Sequence, residues 1–304
     1  MSKIIYGSLS LIMCILGIVG NSMIIIAVKK KRYLRSTTNY LLLNLAISDL
    51  TSLFFLLLMA AGSALVLKNG PLSDFLCKFF IAYHVPFTAS LVSILTILVL
   101  AIERYFAIVK PMRSGLRLRE DNVHFVIIAA WVTGCIVSLP YYVFGSYNGK
   151  SKNCSYRNLS HQDQAIFVVV VQIIFVFLPF IITTFCYFQI VRDIYFQNTV
   201  RPQNIPARRD AVSRRKLLRL SLSITVAFAL CFIPLSITLV MAAFRDESRF
   251  GRRYYKYASF LYFGQSALNP LLYAWQSTNF RQAFKELLRT VLPRIEGPRQ
   301  SHAT

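Results

Sequence analysis

Asp49 is the only acidic residue that lies well inside an apolar segment of this 304-residue chain. A charged side chain is costly in hydrocarbon and usually has a function there. The residue can be a protonated carboxyl held by neighbouring hydrogen bonds, or it can form a site for a cation or a proton. Polar residues in other apolar segments favour the second interpretation, because they offer partners for such a site.

The tripeptide Glu103-Arg104-Tyr105 ends another apolar segment. An acid beside an arginine at the inner membrane boundary can form an ion pair in one state and release it in another. The alternative is an ordinary interfacial arginine, whose stem lies along apolar surface while its head reaches water. The tripeptide alone leaves both interpretations open.

Asn269-Pro270 interrupts the last apolar segment, and Tyr273 follows one turn later. Proline breaks the backbone hydrogen-bond ladder of a helix and leaves a carbonyl group without its partner. The result is either a simple kink or, with Asn and Tyr on both sides, a hinge that has two packings.

Seven apolar segments must position these residues. The chain is 56% hydrophobic and 15% charged, whereas a soluble protein usually carries about 25% charged residues. A helix needs roughly 20 apolar residues to cross a bilayer, and backbone groups in hydrocarbon must pair within their own segment. We therefore predict seven helical spans, numbered one to seven, over about 4–28, 39–67, 75–108, 122–145, 163–196, 212–244 and 255–276.

The chain is predicted to be an all-α membrane protein with one domain, a seven-transmembrane helix bundle over residues 1–290. The first apolar run is interpreted as a membrane helix and not as a signal peptide, because its basic residues follow it. A short amphipathic surface helix is predicted over about 278–290, since Phe280, Phe284, Leu287 and Leu288 share one face. A disordered cytoplasmic tail is predicted over 291–304.

The formal net charge of +22 first suggests nucleic acid as a partner. The basic residues, however, lie mostly in the loops after spans one, three and five and in the tail. Such residues stay on the cytoplasmic side and face anionic lipid head groups. We therefore expect membrane lipids and no nucleic acid as partners, with the N-terminus extracellular and the C-terminus cytoplasmic. The basic segment 245–256, placed outside, is the weak point of this orientation.

Two of the six cysteines are expected to lie outside the bilayer. Cys77 and Cys154 lie at the predicted outer face, in oxidising surroundings, and are expected to form a disulfide between span three and the loop before span five. The other four lie within spans, where thiols usually pack. The same loop carries two glycan acceptor patterns, of which Asn158 is the better candidate because Asn153 adjoins the disulfide.

Together these motifs resemble those of the rhodopsin-like, class A G-protein-coupled receptors, from about Gly20 to Phe284. Each span carries a family mark in the expected order: Gly20-Asn21, Leu45 to Asp49, Glu103-Arg104-Tyr105, Trp131 and Pro140, Pro179 and Tyr187, Phe228 to Pro234, and Asn269-Pro270 with Tyr273. Segments 35–49 and 101–111 look like those of neuropeptide receptors.

The resemblance implies roles for individual residues. Arg104, with Glu103 and Tyr105 beside it, is the arginine that meets the G protein, and Tyr187 and Tyr273 swing toward it. A packing switch is implied for Ile94, Pro179, Phe228, Phe232, Pro234, Asn269 and Pro270, and a G-protein docking region for Arg214, Arg215 and Lys216. An allosteric sodium ion is implied among Asp49, Ser93, Ser266 and Asn269, whose oxygen atoms suit a hard cation. No other cofactor is expected.

The chain departs from the family pattern at three places. Phe232 stands where the family usually has Trp, and Gln265 replaces the usual Asn beside the sodium site. The stretch from Cys77 to Arg104 is two residues longer than usual, and we expect Pro86 to absorb the difference with a bulge.

Upper span three supplies the candidate ligand-binding residues Tyr83, His84 and Phe87. No acid is found there, which disfavours an amine ligand, and Phe263 stands where light-sensing relatives carry the retinal lysine. Basic outer loops attract an anionic group. We predict a plasma-membrane receptor that binds a short peptide and activates a heterotrimeric G protein, with a lipid or another small non-amine molecule as the alternative ligand.

Two other classes of protein fit less well. A transporter or channel often shows internal repeats and paired broken helices, whereas this chain has no visible repeat and one midplane acid. A membrane enzyme needs converging catalytic groups, and no such set is found. The chain is therefore not expected to be an enzyme.

Overall fold

The computed structural model describes residues 3–62, 68, 70–110, 118–149, 153–156, 159–194, 205–244 and 249–291. These residues form ten α-helices and two strands. In chain order they are α1 Lys3–Lys30, α2 Thr37–Gly62, α3 Pro71–Leu76, α4 His84–Ile108, α5 Val123–Phe144, β1 Gly145–Asn148, β2 Asn153–Tyr156, α6 His161–Gln172, α7 Leu178–Arg192, α8 Ile205–Phe244, α9 Arg249–Gln276 and α10 Thr278–Val291.

Seven helical stretches correspond to the seven predicted spans. Spans one, two, four, six and seven are α1, α2, α5, α8 and α9, span three joins α3 to α4, and span five joins α6 to α7. Six of these stretches begin one to seven residues before the predicted bounds, and α5 begins one residue after its bound. Residues 63–67 and 195–196 of the predicted spans, the tail from residue 292 and Asn158 lie outside the described residues.

Six of these stretches in the described part of the chain are long and apolar enough to cross a membrane by length and composition. The seventh, α9, falls short because polar residues such as Gln265, Ser266 and Asn269 lie in its middle. Large apolar side chains such as Ile136 and Leu230 are exposed on the outward faces of the helices. Hydrocarbon, unlike water, is a suitable environment for such a surface.

Span three is irregular at its outer end. A π-helical segment, Cys77–Ile81, and an extended residue, Ala82, separate α3 from α4. The irregularity expected at Pro86 therefore lies before that residue. Pro86 itself is in the first turn of α4, where a helix does not need the backbone N–H that proline lacks. A π-helical segment, or π-bulge, accommodates an extra residue within a helix. A second π-helical segment, Ile173–Phe177, joins α6 to α7 in span five.

A hairpin of β1 and β2 covers the outer end of the bundle and is the one non-helical element with regular structure among the described residues. Its strands are antiparallel, with Tyr147 opposite Cys154. Cys154 forms the predicted disulfide with Cys77, and the backbone N–H of Tyr147 donates to Asp74 Oδ1 at 2.7 Å. These two links, and the contact of Tyr156 with His84, hold the hairpin to span three.

Polar side chains join the inner halves of three spans. The Trp131 indole donates to Asn44 Oδ1 at 3.0 Å, and Asn44 Nδ2 donates to Thr96 Oγ1 at 2.8 Å. Polar groups between membrane helices act as specific links, because water is not available to satisfy them. Spans two, three and four are therefore fixed to one another around Asn44.

The surface helix α10 is docked on the bundle. Phe280, Phe284 and Leu287 are buried, whereas Leu288 is 48% exposed. Phe280 stacks on Tyr273 with ring centres 5.3 Å apart, and Glu286 forms an ion pair with Lys31. Most of the predicted apolar face of this helix is therefore packed against protein.

Candidate functional site

A cavity of about 280 Å³ lies under the hairpin, between spans three to seven. The three residues predicted from upper span three, Tyr83, His84 and Phe87, all line it. Most of the other lining residues are aromatic or aliphatic, and no Asp, Glu, Lys or Arg in the described part of the chain lines it. Sequence reasoning did not find Tyr141 and Tyr156, which also line this cavity, because span four and the hairpin carry no motif that marks them.

His84 fixes the cavity wall to the hairpin. Its Nδ1 lies 3.0 Å from the backbone carbonyl oxygen of Lys78, and since a carbonyl only accepts, Nδ1 carries the proton. Its Nε2 lies 3.4 Å from the Tyr156 hydroxyl, and its ring stacks on Tyr141 with centres 5.5 Å apart. The ring is therefore held on both sides.

A second cavity, of about 540 Å³, lies beside the first, among spans one, two, three and seven. Tyr83 and Phe263 line both cavities, and their rings stack with centres 5.8 Å apart. This aromatic pair forms part of the wall between the two spaces.

Of the residues predicted for a packing switch, Ile94 and Phe232 line the first cavity. Ile94, Phe228 and Phe232 belong to one buried cluster, and Pro179 is buried in α7. The Phe232 ring stacks on Phe228 at 5.2 Å between centres and contacts Tyr262 at 4.9 Å. The Tyr262 hydroxyl in turn forms a hydrogen bond with Ser90. Phe232 thus joins a column of aromatic rings that includes Tyr262, a residue that no sequence motif indicated.

Asp49 is the centre of a buried hydrogen-bond network deeper in the bundle. Its Oδ1 accepts from Gln265 Nε2 at 2.7 Å and from Ser266 Oγ at 3.0 Å, and its Oδ2 accepts from Asn269 Nδ2 at 2.7 Å. Asp49 is only 1% exposed. Three of the four residues predicted for the sodium site therefore meet, while the fourth, Ser93, pairs with Ser48 at 2.7 Å between hydroxyl oxygens.

Pro270 lies inside α9, and its missing N–H leaves the carbonyl group of Ser266 without a helical partner. Asn21 Nδ2 donates to that carbonyl oxygen at 2.8 Å and to the Gly17 carbonyl oxygen at 2.8 Å. A Cβ atom at Gly20 would lie 2.5 Å from Pro270 Cβ and Cγ. Spans one and seven thus approach closely where the proline interrupts span seven.

Arg104 is buried at the inner end of span three and pairs with Glu103. Its Nη2 also donates to Thr38 Oγ1 of span two. The Tyr187 hydroxyl accepts from Thr225 Oγ1 at 3.3 Å. The Tyr273 hydroxyl is buried without a partner. No hydrogen bond among the described residues joins Arg104 to either tyrosine.

Other contacts at the inner end involve spans three, six and seven. Gln276 Nε2 donates to Ser223 Oγ at 2.7 Å and links spans six and seven, a contact that no motif indicated. Tyr105 is half-buried, and Lys110 Nζ lies 5.9 Å from its ring centre. Of the predicted docking residues, Lys216 is exposed, while the side chains of Arg214 and Arg215 lie outside the described part.

A bundle of seven membrane helices, with an outer cavity under a disulfide-tied hairpin and a buried Glu-Arg pair at its inner end, defines the class of heptahelical membrane receptors. The chain matches the family 7 transmembrane receptor (rhodopsin family) over residues 20–273. It belongs to this family of G-protein-coupled receptors, and it is a receptor and not an enzyme.

Several curated proteins are similar to the chain along most of its length. The somatostatin receptor type 5 of Rattus norvegicus is 28% identical over 287 residues, covering 92% of this chain and 76% of that protein. The KiSS-1 receptor of Homo sapiens is 29% identical over 290 residues, covering 90% of this chain and 71% of that protein. The somatostatin receptor type 4 of Rattus norvegicus is 27% identical over 283 residues, covering 91% and 71%.

Proposed function

We propose that this receptor binds a short peptide at the outer side of the plasma membrane and activates a heterotrimeric G protein at the inner side. The observation that carries the proposal is the outer cavity, which opens beneath the hairpin and is lined by Phe232 of the aromatic column. The similarity to somatostatin and KiSS-1 receptors supports a peptide as the ligand.

The cavity suits one part of a peptide and not the whole. A space of about 280 Å³ accepts one or a few side chains, and its lining offers aromatic surface and no counter-charge. Burial of an unpaired charge is costly, so the inserted part is uncharged. Basic residues of the outer surface, such as the exposed Lys256, attract acidic groups of the same ligand that stay outside.

A lipid or another small non-amine molecule is the second candidate ligand. The lining of aromatic and aliphatic side chains favours it, because apolar surface of this kind binds most small ligands. An amine is disfavoured, since no carboxylate in the described part of the cavity lining can pair with an ammonium group.

Activation follows from a shift of population between a closed and an open inner end. A ligand shifts this equilibrium only if it binds the open state more tightly. In the closed state Arg104 pairs with Glu103 and Thr38, and Gln276 links spans six and seven. Opening releases Arg104 to the G protein, and Tyr187 and Tyr273 move toward it.

We orient the receptor with its N-terminus outside and its C-terminus in the cytoplasm. The disulfide and hairpin then lie on the oxidising side. On the cytoplasmic side Arg281 and Lys285 of α10 are exposed and face anionic lipid head groups.

The test is a G-protein dissociation assay in cells that express the receptor, with a library of short peptides and with lipid and amine panels in parallel. A peptide is expected to activate, and Phe87→Ala is expected to reduce its potency at least about tenfold, as for an anchor residue. The matched control is Phe185→Ala, because Phe185 is exposed on α7 and faces away from the bundle. Activation by a lipid or an amine alone would overturn the peptide assignment.

A further inference from the structure

The Asp49 carboxylate is surrounded by hydrogen-bond donors from one helix. Gln265, Ser266 and Asn269, all in α9, direct an N–H or O–H group at its two oxygens, at distances of 2.7 to 3.0 Å. Hydrogen bonds to an ionised group are about twice as strong as those between neutral groups. The negative charge is thus solvated by dipoles of the protein itself.

Both amide side chains have their nitrogen toward the carboxylate. Their oxygens, Gln265 Oε1 and Asn269 Oδ1, are buried without a hydrogen-bond partner. An unpartnered buried acceptor is costly, and the stronger bonds from the two amide nitrogens to Asp49 offset this cost. The orientation of these amides is therefore dictated by the carboxylate.

To be ligands of a sodium ion at Asp49, these two amides would need the opposite orientation. A hard cation is bound by oxygen atoms, whereas the Gln265 and Asn269 amides present hydrogens to the place where such an ion would contact Asp49. Ser93, the remaining residue of the implied site, pairs its hydroxyl with Ser48. The residues present do not fit the sodium ion that the family resemblance implies.

The length of Gln265 explains the difference. An asparagine side chain is one methylene shorter, about 1.5 Å, so its amide at this position would not reach the carboxylate at 2.7 Å. The gap would be filled by water or by a cation. The extra methylene of Gln265 closes that gap with an amide nitrogen.

We propose that Gln265 takes the place of the cation in this receptor, so that the Asp49 centre is complete without sodium. Single-residue exchange at position 265 then decides whether the centre binds the ion: Gln265 excludes it and asparagine admits it. The inference goes beyond the proposed function and depends on neither the ligand nor the G protein.

The experiment measures the thermal unfolding midpoint of the purified receptor in sodium chloride and in choline chloride of equal ionic strength, up to about 150 mM. A thiol-reactive dye reports unfolding, because Cys14, Cys186 and Cys231 are free and buried. The wild-type midpoint is expected to agree in both salts. Gln265→Asn is expected to gain at least about 2 °C in sodium over choline, since a ligand of the folded state raises its stability.

Two variants serve as controls. Gln172→Asn makes the same chemical change in span five and is expected to give equal midpoints in both salts. Adding Asp49→Asn to Gln265→Asn is expected to remove the sodium response. A wild-type midpoint that rises with sodium and saturates would overturn the proposal, and so would a Gln265→Asn variant without any response to sodium.

Discussion

Arg104 is a buried cation at the inner end of the bundle, and both of its partners are residues of the receptor itself. Glu103 neutralises its charge, and Thr38 accepts a further hydrogen bond. If Arg104 meets a G protein, as proposed, both contacts have to be exchanged for others. Arg104→Ala is therefore expected to abolish G-protein activation and to leave surface expression largely intact, as checked by a dissociation assay beside cell-surface labelling.

The control for this variant is Arg119→Ala. Arg119 is highly exposed, and its ion pair with Asp121 spans 3.9 Å, a distance at which an exposed pair contributes little. This variant is expected to signal normally. Undiminished signalling by Arg104→Ala at equal surface density would refute the role given to Arg104.

At the residue scale, the sequence predicted several pairs of residues that come into contact. It did not predict the geometry of those contacts. The disulfide of Cys77 and Cys154 is confirmed. The sequence predicts this pairing because it places only these two cysteines outside the bilayer. That Gln265 differs from the family pattern was visible, but the direction of its amide was not. A hydrogen bond between residues 216 positions apart depends on how two helices pack, and no local pattern encodes that.

Ser223 and Gln276 form a link between the inner ends of spans six and seven. A single hydrogen bond of this kind contributes about 1 kcal/mol. Its removal from the closed state shifts the equilibrium between closed and open states by about fivefold. Ser223→Ala is therefore expected to raise ligand-independent signalling by up to that factor, measured at matched surface expression.

Ser10→Ala is the matched control for this link. The Ser10 hydroxyl donates to the Tyr6 carbonyl oxygen of its own helix at 2.9 Å, so the variant breaks no contact between spans. Its basal signalling is expected to equal that of the wild type. Equal basal signalling in Ser223→Ala would show that the link does not restrain opening.

The ion pair of Lys31 and Glu286 makes the docking of α10 dependent on pH. Hydrogen bonds from Lys31 and Gln282 lower the pKa of Glu286, and the hydrogen bond to Glu286 raises the pKa of Lys31. A lowered carboxyl pKa gives stability that is present above the unfolded pKa, about 4.3, and is lost as the pH falls through the folded pKa. The raised lysine pKa gives stability that is lost only in strong alkali.

Acidification is therefore expected to loosen α10 slightly, and a pair of spin labels on α10 and span one measures the change as a wider distance distribution. The effect is small, because the pair is partly exposed and the burial of Phe280 and Phe284 keeps the helix docked. Glu286→Gln should show the same distribution from neutral to acid pH. If the distance distribution of the wild type also stays the same from neutral to acid pH, the prediction is wrong.

At the element scale, length and hydropathy predicted the seven spans, because a bilayer demands about 20 apolar residues in each. The π-helical segments at Cys77–Ile81 and Ile173–Phe177 were not predicted. Proline is a visible irregularity, and the sequence drew attention to Pro86. No residue type marks a π-helical segment in a sequence, because the packing of neighbouring spans determines where it forms.

On the scale of the whole molecule, the outer cavity and the inner end are joined by one continuous buried cluster. That cluster includes Ile94 and Phe232 of the cavity lining and Tyr273 and Phe280 near the inner surface. Close-packed interiors transmit displacements because they contain few voids. The Asp49 network lies between the two ends and is attached to span seven, the helix that carries both Tyr262 of the cavity and Tyr273.

The disulfide between Cys77 and Cys154 acts on the whole outer half of the receptor, because it closes a loop over 77 positions of the chain. Breaking a disulfide of this size typically costs about 2–4 kcal/mol. It also frees the hairpin that positions Tyr156 against His84. Cys154→Ser is expected to lower both the unfolding midpoint and the affinity for an activating peptide, and Cys77→Ser is expected to do the same to an equal degree.

The double variant Cys77→Ser/Cys154→Ser distinguishes the bond from the individual thiols. If the bond alone matters, the double variant loses no more stability than either single variant, since each single change already breaks it. Cys135→Ser is the matched control, because Cys135 is a free and exposed residue of span four, and it should leave the unfolding midpoint and surface expression unchanged. Normal midpoint, expression and peptide affinity in Cys154→Ser would mean that the contacts with Asp74 and His84 hold the hairpin over the cavity without the disulfide.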